Sequence, residues 1–133
     1  MNEGAPKASG LAKGSHPIDA HGGGGFAFAG ISHVGSILAT PKGIAAVDAR
    51  EARDIDETAL APLFAELAEN PGSIEFLVIG SGAVMAPLGK ALRERLRGAG
   101  LRFETMATGP ALRVYNVMQS EKRRVAALLI ATP

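Results

Sequence analysis

Two stretches of this chain, Phe76 to Ile79 and Val125 to Ala131, are apolar at every position. A strand with one wet face alternates apolar and polar residues, so an unbroken apolar run reads as a strand covered on both faces. Two such strands require an interior sheet with a layer of structure on each side. Helix-like and strand-like segments alternate through the second half of the chain. That order predicts a single α/β domain with helices on both faces of the sheet.

Strand signals crowd the first half. After the run Gly22 to Gly25, Phe26-Ala-Phe28-Ala alternates with period two, which predicts a loop feeding a strand with both rings on one face. Ser36 to Thr40 and Ile44 to Val47 flank Pro41-Lys42-Gly43, the mark of a hairpin. A helix is expected over Asp54 to Asn70. Leu60, Leu63, Phe64 and Leu67 form its apolar stripe, acids at 54, 56 and 57 suit its start, and Asn70-Pro71-Gly72 stops it. Pro87 opens a second helix with Leu88, Leu92 and Leu96 inward, ended by Gly98 and Gly100. Leu101 to Met106 follows as a strand. Thr108 caps a third helix with Pro110 in its first turn, and Ala111, Val114, Tyr115 and Met118 face the core. Residues 1–15 are mostly Gly, Ala, Ser and Lys and are expected to be a disordered tail, leaving 16–133 as the domain.

Composition narrows the function classes. A net charge of +1 gives no broad field for nucleic acid or an anionic membrane. No cysteine is present, which excludes disulfides, thiolate metal sites and thiol nucleophiles. No apolar run approaches the roughly 18 residues of a membrane span, and the start lacks the apolar core of a secretory signal. A cytoplasmic protein is the expectation. Tyr115 is the single tyrosine and there is no tryptophan, so if Tyr115 is buried its hydroxyl needs a partner.

Three signatures fail at Gly80-Ser81-Gly82. The dinucleotide fingerprint wants a third glycine where Met85 stands. A phosphate loop would need the spacing G-x-x-x-x-G-K, which Gly89-Lys90 does not supply. A nucleophile elbow would need glycines in place of Ile79 and Ala83. The segment reads first as a tight turn, with a small anion held by its N–H groups as the alternative. The four-glycine run likewise reads as a turn before a phosphate wrap. His16, Asp19, His21 and His33 match no metal-ligand spacing, so no metal and no cofactor is expected. The basic residues Lys90, Arg93, Arg95 and Arg97 have no aromatic platform beside them, which argues against nucleic acid. Thr108-Gly109-Pro110 with Arg113 and Asn116 is the most suggestive group. Beside the Gly80 to Gly82 turn, Arg113 and Asn116 would rim a small pocket. Ala107 leaves that rim without a general base.

The segments I-D-A-H-G-G-G-G-F (18–26), V-I-G-S-G (78–82) and T-G-P-A-L-R-V-Y-N (108–116) resemble a small α/β family. It is the Mth-type domain family of unknown function, which includes the mitochondrial complex I assembly factor three. The resemblance spans nearly all of 16–131. It implies a three-layer fold with a central mixed sheet, and places Gly80, Ser81, Gly82, Thr108, Gly109, Arg113, Tyr115 and Asn116 at a shared rim. It also implies a non-catalytic role, because the eukaryotic branch works by binding partners while respiratory complex I is built, and bacterial members look like stand-alone domains. The family pattern has an acid before the T-G pair. Ala107 stands there, which weakens an enzymatic reading. The leading expectation is a domain that binds proteins, with complex I subunits or assembly factors as partners. The rival is a small-molecule or anion pocket, perhaps enzymatic, between the Gly80 to Gly82 turn and the helix at Thr108. A third reading is a homodimer through a sheet edge or the Phe26/Phe28 strand.

Overall fold

The computed structural model describes residues 10–133. A six-stranded mixed sheet forms the middle layer, built from β1 (Gly10–Lys13), β5 (Ser36–Thr40), β6 (Gly43–Val47), β7 (Phe76–Gly80), β8 (Arg102–Met106) and β9 (Val125–Leu129). Its order is β1-β6-β5-β9-β7-β8. The first four strands run antiparallel to their neighbours, and β9, β7 and β8 run parallel. The two uniformly apolar runs, β7 and β9, lie side by side at its centre, buried on both faces as their sequences require. A smaller antiparallel sheet joins β2 (Ala20–Gly22), β3 (Gly25–Phe28) and β4 (Ile31–Val34).

Two cores flank the main sheet. On one face Leu38, Leu77, Ile79 and Leu128 pack against α1 (Ala61–Glu69) and α2 (Lys90–Gly98) through Leu60, Leu63, Leu92 and Leu96. On the other, Ile37, Val78, Ala127 and Leu129 meet α3 (Thr108–Ser120) and the small sheet through Ala111, Tyr115, Phe26 and Phe28. The two phenyl rings do share a face, and that face is interior. Their side chains are therefore covered, and the sheet edges are β1 and β8 of the main sheet and β2 and β4 of the small one. The glycine run is the β2–β3 turn, with Gly23 and Gly24 at φ +61° and +83°, values that side chains other than glycine's rarely tolerate.

Four local expectations shift. Part of the segment expected as a tail over 1–15 is ordered, because Gly10–Lys13 pairs with β6 and Leu11 packs on the second core; residues 1–9 lie outside the described residues. The helix expected over 54–70 begins at Ala61. Pro62 sits in its first turn, where a missing N–H costs nothing, so the proline marks the start of the helix. The acids serve turns instead: Asp54 Oδ2 accepts the N–H groups of Arg50 and Glu51, and Asp56 Oδ1 that of Ala59. Helix α2 starts at Lys90, not Pro87, because the Ser81 hydroxyl holds the intervening chain in a loop. Thr108 is not a cap but the first helical residue of α3, fully buried.

The arginines of α2 belong partly to the domain itself. Arg95 stacks 4.0 Å from the Phe64 ring and pairs with Glu57, and Arg97 lies 5.8 Å from the Phe103 ring. At the far end of the sheet, Glu75 accepts Arg123 Nε at 3.1 Å and the Arg124 N–H at 3.0 Å. The Arg123 guanidinium holds that carboxyl down to about 2.

Burial pushes the Tyr115 phenol up to about 12, with the Ser15 side chain opposing the shift. In the unfolded chain the phenol ionises near its ordinary value of 10.0, so the folded state keeps a proton the unfolded state has lost. This contribution to stability is complete below pH 10 and disappears as pH rises through about 12. Tyr115 is the sole tyrosine, so phenolate absorbance reads it directly. The expected titration shows no midpoint near pH 10, and ionisation coincides with loss of circular dichroism. A midpoint near 10 in a folded protein would contradict the buried phenol.

Candidate functional site

The loop after β7 leads to α2 on one face of the sheet, and the loop after β8 leads to α3 on the other. Such divergence opens a crevice at the C-terminal ends of parallel strands, where open α/β sheets place their ligands. Gly80, Ser81, Gly82, Thr108 and Gly109 all lie at this switch point. What fills it is the protein itself.

Thr108 Oγ1 accepts the Gly82 N–H at 3.0 Å and donates to Ile130 O at 2.8 Å. The Thr108 N–H returns to Gly82 O at 2.8 Å, the Ser81 N–H goes to Met106 O at 2.8 Å, and the Ile130 N–H to Gly80 O at 2.8 Å. Every strand end of the parallel trio is thus tied to another. Gly80 permits this closeness, since a Cβ there would sit 2.9 Å from both Leu129 Cδ2 and Thr108 Cα. The Ser81 hydroxyl, far from being a free nucleophile, accepts the Ala86 N–H at 2.9 Å and lies 3.2 Å from the carbonyls of Val84 and Met106, to one of which it donates. An anion would need the N–H groups of Ser81, Gly82 and Thr108, and all three are already bonded.

The remaining motif residues part company. Tyr115 donates to His16 O at 2.8 Å from within the core. Asn116 grips Ile18 twice at 2.8 Å, its Oδ1 accepting the Ile18 N–H and its Nδ2 donating to Ile18 O. Both clamp the entry to the small sheet onto α3. Arg113 is exposed and makes no side-chain hydrogen bond to the described residues, so it does not join Asn116 at a pocket wall. The histidines also separate. His16 bonds Lys13 O, His33 lies within β4, and His21 approaches Thr132 Oγ1 at 3.2 Å beside Gly109. Among the described residues no group of three or more His, Cys, Asp or Glu is placed to hold a metal ion.

A family model described as a protein of unknown function, DUF498/DUF598, matches residues 18–130. The chain belongs to that family. An uncharacterized protein of Rhodobacter capsulatus is 38% identical over 97% of this chain and 94% of its own. The crystal structure of a Bartonella henselae protein, described as an outer membrane protein, superposes with TM-score 0.82 at 39% identity, covering 92% of this chain and all of that one. A Bordetella pertussis protein described as a Mth938-like domain shares the fold at 24% identity, with TM-score 0.73 over 98% and 91% of the two chains. The three-layer α/β architecture expected from the resemblance is therefore the family's fold. Among the described residues of this chain no helix is long and apolar enough to cross a membrane.

One feature of the rim was not anticipated from sequence. Ala83 to Pro87 forms no regular structure, and Val84 and Met85 stand 76% and 55% exposed. Its signal was an apolar run with neither strand nor helix periodicity, wedged between a strand end and a helix.

Thr108→Val replaces the hydroxyl by a methyl of similar size and strands the Gly82 N–H and Ile130 carbonyl in the interior. Denaturant unfolding should show a loss of about 3 kcal/mol, whereas Thr108→Ser, which keeps the hydroxyl, should lose about 1. Equal losses would mean the methyl, not the hydrogen bonds, matters. Asn116→Ala should cost about 2 kcal/mol and release the Ile18 amide to hydrogen exchange well before those of β7 and β9.

Proposed function

We propose that this protein is a non-catalytic, cytoplasmic protein-binding domain that meets its partner through the Ala83 to Pro87 loop. The observation that carries this reading is the pair Val84 and Met85, adjacent, largely exposed and presented on a loop whose Ala86 N–H is held by the Ser81 hydroxyl. Exposed apolar side chains lose unfavourable hydration when a partner covers them. A loop already held in shape loses little conformational entropy on binding. Met adds a flexible, polarizable side chain suited to an irregular partner surface. The partner class we propose is an intermediate in the building of respiratory complex I, supported by the resemblance of the 18–26, 78–82 and 108–116 segments to a family with an assembly factor among its members. The rival pocket between the Gly80 to Gly82 turn and α3 has less support, because the N–H groups of Ser81, Gly82 and Thr108 are bonded internally.

The test is affinity capture of the tagged full-length protein from its native host in mild detergent. Complex I subunits or assembly factors should co-purify, and a Val84→Ser/Met85→Ser double variant of unchanged stability should capture at least about tenfold less. Arg113→Ala, on the exposed face of α3, serves as the comparison. Capture undiminished by the loop variant, or lost only with Arg113→Ala, would remove the loop as the contact. A clean preparation would remove the partner class.

A further inference from the structure

Strand β8 ends the main sheet beyond β7, and its outer side pairs with no other strand among the described residues. The opposite edge, β1, is irregular, because its register with β6 shifts between Gly10 and Ala12. β8 has no such defect. It pairs with β7 in unbroken register from Arg102 to Met106 and contains no proline, lysine or bulge, devices that keep an edge from pairing again. Its two charges are of opposite sign.

The Ser81 N–H bonds Met106 O, so Met106 turns its backbone polar groups toward β7. Backbone direction alternates along a strand. Arg102 and Glu104 therefore also face β7, and Phe103 and Thr105 present their N–H and C=O groups outward. Side chains alternate as well. Phe103 packs on the first core and Met106 on the second, which puts Arg102 and Glu104 on the α3 side of the sheet. Helix α3 packs mainly on β7 and β9 and leaves both charged side chains exposed. Neither forms an ion pair with the described residues.

We propose that β8 binds β8 of a second copy of this chain, antiparallel about a two-fold axis at Phe103. That register sets Phe103 opposite its own copy, joined by two N–H···O=C bonds, and Thr105 opposite Leu101. It also sets Arg102 of each copy opposite Glu104 of the other, in the closely spaced pairs that share no backbone bond. The charges select this register. An axis at Glu104 would oppose that carboxylate to itself, and like charges directly opposite are destabilising. An axis at Thr105 would face Glu104 with Met106 and leave Arg102 without an acid. The occupant is a second copy because the strand is complementary to itself, as an isologous contact requires.

Sedimentation velocity of the full chain over a concentration series should show a monomer–dimer equilibrium. Arg102→Glu and Glu104→Arg, both at exposed positions, should each weaken self-association at least about tenfold. Mixed in equal amounts, the two variants should associate within about threefold of the parent, because every opposed pair is again acid against base. Thr105→Pro removes an outward N–H that the monomer does not use, and should abolish the dimer while the circular dichroism spectrum stays that of the parent. A sedimentation coefficient independent of concentration would overturn the proposal. So would a dimer that survives Arg102→Glu or a folded Thr105→Pro, or folded charge variants that stay monomeric on mixing.

Discussion

The hydroxyl of Thr108 is the interaction on which the rest of the molecule depends. Three parallel strands end within a few ångströms of one another, and their terminal N–H and C=O groups have no further strand to pair with. Exposed to water these groups would be satisfied, but here they are covered by Leu129, Ile130 and the first turn of α3. One buried oxygen that accepts from Gly82 and donates to Ile130 resolves two of them at once. Leaving either unpaired in the interior would be costly. The close approach this needs is possible because position 80 has no side chain.

That knot decides how the glycine-rich and Thr-Gly motifs of this chain should be understood chemically. Thr108, Gly80 and Gly82 close the switch point, and Tyr115 and Asn116 bolt residues 16–18 onto α3. In this protein the crevice that open α/β sheets use for ligands is spent on structure. Ser81 passes the consequence outward, because its hydroxyl also accepts the Ala86 N–H from the loop bearing Val84 and Met85. Position 107 fits this division of labour: an alanine precedes α3, so no carboxylate stands at the rim to serve as a base.

The elements legible from sequence are those whose signal is local. The uniform apolar runs of β7 and β9, the Pro41-Lys42-Gly43 hairpin and the leucines at 88, 92 and 96 all announce themselves through periodicity or turn chemistry, and each lies where it should. Helix starts are not legible where a proline could open either a helix or a loop, and for Pro87 the bond from the Ala86 N–H to the Ser81 hydroxyl decides. Thr108 looked like a cap because Thr before Pro in a first turn often is one. Its real partners, Gly82 and Ile130, are remote in sequence, and no local pattern encodes them. The strand β1 was hidden for the same reason, since its stability comes from β6 and not from its own four residues.

The candidate surfaces were the least legible, for a physical reason. Val84 and Met85 break a local rule: two adjacent apolar residues face water. A sequence reader assigns apolar runs to the core, so departures of this kind become visible only when burial is known. They are also where a stable fold is expected to depart from its own consistency, since groups that serve a partner are not fully satisfied within the chain. The rim residues obey every rule of internal satisfaction and so point inward to stability. The loop at 83–87 does not, and that incompleteness is the ground on which a partner contact is proposed there.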